Sequence, residues 1–148
     1  MKPDTFFTKE QQKEIEEAIK AAELNTSGEI RLHIESELKG DIFDRAAYIF
    51  KLLEMHKTEL RNGVLFYLAL KSKKFAIIGD MGINHKVPDN FWDNIKEKVL
   101  SDFSEGKFTE GLVLGLNMAG EQLKKHFPHQ ENDVNELSDE ISFGKPSK

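Results

Sequence analysis

The 148 residues predict an α/β domain built on a small mixed sheet, and three observations carry that expectation. Ile30, Leu32 and Ile34 alternate with Arg31, His33 and Glu35, the period-2 pattern of a strand with one polar face. An amphipathic helical stretch follows, and then Val64 to Leu70 forms an unbroken apolar run, as expected for a central strand covered on both faces. Strand, helix and strand in that order call for a parallel crossover. The loop Lys71-Ser72-Lys73-Lys74 is too short for a second crossover, so Phe75 to Ile78 is expected to return antiparallel as a hairpin.

The flanking elements follow from local chemistry. Thr8 and Gln11 fit a capping box, and Ile15, Ala18, Ile19 and Ala22 recur at helical spacing, which predicts a helix from about Thr8 to Glu23. Asn25 to Gly28 breaks it. Asp41 is placed to cap a second helix with Phe43, Ala46, Ala47, Phe50 and Leu53 as its apolar stripe, ending near Met55 to Thr58. Gly79 to Gly82 is expected to be a turn that ends the sheet. Pro88 is expected in the first turn of a third long helix carrying Phe91, Trp92, Ile95 and Val99, and Glu105-Gly106-Lys107 stops it. Thr109 is expected to cap a fourth, with Leu112, Leu116, Ala119 and Leu123 inward and Gly111 and Gly115 allowing close approach. The domain is therefore drawn from residue 6 to residue 127, and 128–148 is expected to be a mobile polar tail in which Ile141 and Phe143 are apolar points able to dock on a groove or a partner.

Composition excludes several functions. Twenty-six acidic against 21 basic side chains leave a net charge of -5, so no basic field favours nucleic acid. Cysteine is absent, which removes thiol nucleophiles and thiolate zinc sites and leaves oxygen or imidazole as metal ligands. No secretory signal and no membrane-spanning apolar run is seen, so a cytoplasmic chain without direct membrane insertion is expected. The five histidines share no zinc spacing, and of them His85 is nearest to the loops of interest.

Topology then points to one place. If the first two strands are parallel and the third returns, Ser27-Gly28-Glu29, Arg61-Asn62-Gly63 and Gly79-Asp80-Met81-Gly82 meet at one sheet edge. Gly28, Gly63, Gly79 and Gly82 serve as turn residues there, and each cluster alone is also ordinary turn chemistry. Together, Glu29 and Asp80 supply carboxylates and Asn62 and Asn84 amide oxygens, a set suited to a divalent cation and to calcium first. A structural ion pair between Glu29 and Arg61 is the competing arrangement. A second acidic group expected at the opposite edge, Glu35, Glu37, Asp41 and Asp44 together with Asp102 and Glu105, is the alternative metal locus.

The ordered motifs Phe6-Phe7-Thr8-Lys9-Glu10-Gln11-Gln12, Thr26 to Arg31, Arg61 to Leu65 and Ile78 to Ile83 resemble the TPM-domain family over roughly Phe6 to Phe127. The resemblance implies a three-layer α/β/α sandwich with about four helices, a divalent-metal site, calcium in some members, and phosphatase activity in one branch. Most relatives also carry a signal peptide and a membrane segment. This chain departs from the family pattern at Arg61, where many members have Asp, and at Asp80, where an aromatic residue is common. On that basis Arg61 is assigned as an anion or phosphate-binding group beside the cation, and metal-assisted phosphomonoester hydrolysis is the expected chemistry if the site is catalytic. The other expectation is a non-catalytic module that binds a protein partner through the polar edge or the tail.

Overall fold

The computed structural model describes residues 2–88, 90–128 and 137–144. Helices α1 (Pro3–Phe6) and α2 (Lys9–Glu23) precede strand β1 (Glu29–Glu35), and α3 (Ile42–Leu52) with a 3-10 turn, Met55–Lys57, leads to β2 (Gly63–Ala69). Strand β3 (Lys74–Gly79), the short α4 (Met81–Asn84), the long α5 (Asp93–Ser104) and α6 (Phe108–His126), and β4 (Ser142–Phe143) complete the order. The sheet runs β3-β2-β1-β4, with β1 and β2 parallel and β2 and β3 antiparallel. The crossover and hairpin expected from spacing are therefore present.

Two apolar layers explain the three-layer form. Ile30, Leu32, Ile34, Val64, Phe66 and Leu68 face the core made with Ile15 and Ile19 of α2, Ile95 and Val99 of α5, and Leu112, Leu116 and Leu123 of α6. Leu65, Tyr67 and Ala69 point the other way, against Ala46, Ile49 and Phe50 of α3 and Met55. This is why Val64 to Ala69 shows no polar alternation. Close approach is built in where foreseen: a Cβ on Gly115 would lie 2.6 Å from Val99.

Local chemistry accounts for the helix starts. Thr8 and Gln11 form the reciprocal capping box, and Asp41 caps α3 by accepting from the Phe43 N–H at 3.0 Å. Other boundaries differ from expectation. Pro88 lies in the loop before α5, which starts only at Asp93, and Thr109 sits inside α6 as a buried residue, with Lys107 at the cap position. The 79–82 turn contains the start of α4, capped by Asp80 through the Met81 N–H at 2.8 Å. Among the described residues, no helix is long and apolar enough to cross a membrane.

The largest correction concerns β1 and the tail. The polar face of β1 is not a solvent face: Glu29, His33 and Glu35 are only 4%, 3% and 5% exposed. Part of their cover comes from the far end of the chain. Of the stretch expected to be mobile, residues 137–144 pack on the sheet, Leu137 and Ile141 are buried, and β4 pairs in parallel with His33 and Ile34. Residues 129–136 and 145–148 of that expected tail lie outside the described residues. Ile141 does dock as an apolar point, and the groove it enters is this domain's own core.

Candidate functional site

The sheet register brings the three clusters together. Glu29 is the partner of Gly63 and Val64 the partner of Gly79, so the starts of β1 and β2 and the end of β3 share one edge. Backbone bonds tie them: the Glu29 N–H donates to the Asn62 carbonyl at 3.3 Å, the Asp80 N–H to that of Gly63 at 3.0 Å, and the Gly82 N–H to that of Arg61 at 2.9 Å. Asn62, almost fully buried, donates through Nδ2 to the Ser27 carbonyl at 3.1 Å. Gly28 donates its N–H to Thr26 Oγ1 at 3.0 Å, and the Thr26 hydroxyl in turn donates to the Leu123 carbonyl at 3.0 Å.

Convergence of the positions does not aim the expected ligands at one point. Asp80 is 7% exposed, and both its oxygens are engaged by Arg61, Nε to Oδ2 at 2.7 Å and Nη2 to Oδ1 at 2.8 Å. Hydrogen bonding to Asp80 raises the Arg61 guanidinium pKa further. Arg61 holds a left-handed backbone with φ 53°, a conformation uncommon for a non-glycine residue. Asn84 turns its Nδ2 to the Gly79 carbonyl at 3.2 Å. These residues form a clamp between two loops rather than a preformed cation shell, and the ion pair expected with Glu29 is made with Asp80 instead. Gly82 is the tightest point of the clamp, because a Cβ there would lie 2.2 Å from the Leu60 carbonyl oxygen. Gly82→Ala is expected to lose about 1–3 kcal/mol of stability, measured by urea unfolding.

Glu29 has a different environment. Its Oε1 accepts from the Leu137 N–H at 2.6 Å, so the returning chain is held by this carboxylate. Two glutamates of α2 do related work: Glu16 accepts from the Ile141 N–H at 3.1 Å, and Glu23 from the Ile30 N–H at 2.8 Å. Glu23 is also hydrogen-bonded, carboxyl to carboxyl, to Asp139 of the returning segment. Burial first, then that bond and the negative charges of Asp139 and Glu29, push the Glu23 pKa up to about 10, against the opposing Ile30 N–H. At neutral pH this contact therefore carries a proton. Sequence reading missed Glu23 and Asp139 because both stand in charged stretches that look solvated. The available signal was the nearby apolar pair Ile141 and Phe143.

The alternative acidic group is engaged structurally. Glu35 accepts from Arg45 Nε at 3.0 Å and Nη2 at 2.5 Å and from the Tyr67 hydroxyl at 2.5 Å, while His33 Nε2 is 3.2 Å away. Burial alone would raise its pKa, but the hydrogen bonds from His33, Arg45 and Tyr67 outweigh it and lower the value to about 2. His33 Nδ1 in turn shares a 2.8 Å hydrogen bond with the Ser142 hydroxyl of β4. Asp41 is the α3 cap, and His85 closes α4. Among the described residues, no three His, Cys, Asp or Glu side chains are grouped so as to hold a metal ion.

A mixed four-stranded sheet between helical layers, with its polar loops collected at one end and closed by a returning segment, defines a small α/β/α domain. The model of the TPM domain matches residues 1–122, and the chain belongs to that family. Its fold is similar to the NMR structure of the BA42 protein from the psychrophilic bacterium Bizionia argentinensis, at 47% identity and a TM-score of 0.89, covering 95% of this chain and 97% of that one. An N-terminal domain from P. gingivalis shares the fold at 16% identity and a TM-score of 0.70, over 86% of this chain and 84% of that one. The N-terminal domain of a Corynebacterium glutamicum protein does so at 13% identity and 0.63, over 80% and 74%. No curated protein matches the chain.

Proposed function

We propose that this TPM domain binds a divalent cation, calcium first, at the sheet edge where the returning segment meets α2 and β1. Glu23 and Asp139 are its carboxylate ligands and Glu29 the neighbouring third charge. The observation that carries the reading is the carboxyl-to-carboxyl contact of Glu23 and Asp139, with Glu29 adding a like charge. Such a contact stores repulsion that either a proton or a cation relieves, and a hard divalent ion accepts one or two carboxylates with carbonyl and water oxygens completing its shell. Asp80, Asn62 and Asn84 then act at one remove, by holding the loops on which the edge is built. Phosphomonoester hydrolysis, implied by the earlier resemblance, is not the function we assign, because its anion-binding group Arg61 is already committed to Asp80.

Calcium titration followed by amide resonances tests this. Shifts centred on Glu23, Glu29 and Asp139 that disappear in Glu23→Gln are expected, while Asp80→Asn leaves the pattern in place. Shifts centred instead on Asn62, Asp80 and Asn84, or none at millimolar calcium, would contradict the assignment.

A further inference from the structure

A separate feature lies on the α3 side of the sheet. A cleft of about 220 Å³ is lined by Arg31 of β1, by Leu53, Glu54, Lys57 and Thr58 around the 3-10 turn, and by Leu137 and Ser138 of the returning segment. Among the described residues, two of these bring buried polar atoms with no hydrogen-bond partner, Arg31 Nε and Thr58 Oγ1. Thr58 is only 3% exposed. Two buried polar atoms without a partner, on residues that line one small cleft, call for an explanation. The charges there are specific as well. Lys57 is paired with Glu54 at 2.9 Å, which leaves Arg31 to set the sign of the inner wall. Burial lowers the Arg31 pKa, and the charge of Glu140 opposes that shift.

We infer that this cleft binds a small oxyanion group, phosphate or carboxylate, through the Arg31 guanidinium and the Thr58 hydroxyl. An oxyanion accepts from both, and a guanidinium matches its planar, multi-oxygen geometry. The cleft has room for such a group together with several waters, each of which takes roughly 30 Å³. This reading stands apart from the cation site, since neither donor is a carboxylate or belongs to α2.

The test is a titration of the full chain with inorganic phosphate, and in parallel with sodium acetate, at constant ionic strength, followed by amide and Arg side-chain resonances. Saturable shifts at Arg31, Thr58, Leu137 and Ser138 with at least one of the two anions are expected. Arg31→Met is expected to weaken that binding about tenfold or more, and Thr58→Val by about twofold to tenfold. Thr58→Val retains the side-chain shape and removes an unsatisfied hydroxyl, so its stability is expected to be equal or higher, which keeps the test independent of folding. No saturable shift with either anion, or unchanged affinity in both variants, would overturn the inference.

Discussion

Glu35→Ala is expected to be the most damaging single substitution, lowering stability by about 3–5 kcal/mol in urea unfolding at neutral pH. The carboxylate it removes is almost fully buried and is the common acceptor for Arg45, Tyr67 and His33. Without it the Tyr67 hydroxyl, at a fully buried position, loses its acceptor, and Arg45 loses the partner that raises its pKa. The half-exposed Arg45 can turn to solvent, so the larger part of the loss comes from the groups that cannot. Glu35→Gln keeps the shape and one acceptor and is expected to lose less. A loss below about 1 kcal/mol for Glu35→Ala would show that these bonds contribute little. The pH dependence carries the same logic. The Glu35 pKa is depressed to about 2, so its contribution is present above the ordinary value of 4.5 and is lost as pH falls through 2.

The second large effect is on the alkaline side and has the opposite sign. With its folded pKa raised to about 10, Glu23 stabilises the fold fully below 4.5, and that contribution is lost as pH rises toward 10. In calcium-free buffer, stability is expected to slope downward as pH rises from 5 to 9. Glu23→Gln is expected to flatten that slope, because an amide keeps a donor and an acceptor for Asp139 and Ile30 and does not titrate. Saturating calcium is expected to flatten it in the wild type by substituting for the proton. Urea midpoints across this pH range check all three. A cation-free wild type whose stability is level from pH 5 to 9 would remove the Glu23 and Asp139 contact from the account.

Much of the fold was legible because its signals are local. Ile15, Ala18 and Ile19 sit at helical spacing, and Val64 to Ala69 is apolar throughout because two layers cover it. The meeting of Glu29, Asn62 and Asp80 at one edge was also legible, since it follows from strand direction alone. The side-chain chemistry was not. Alternation in β1 marks a polar face but not what covers it, because part of the cover comes from residues about 100 positions later, in a stretch too polar to announce a strand. Arg61 was matched to Glu29 or to a ligand anion, yet the short helix that Asp80 caps places that carboxylate within bidentate reach. Glu23 ends a helix rich in charged residues, and nothing in its local sequence distinguishes a carboxylate that meets a distant segment from its solvated neighbours.

The measurement closest to the central claim is calorimetric titration of calcium into the full chain near pH 7.5, repeated in buffers of different ionisation enthalpy. The heats are expected to differ between buffers by the amount that corresponds to about one proton released per calcium bound, and Glu23→Gln is expected to abolish that difference. Calcium binding with no proton release, or no binding heat at all, would contradict it.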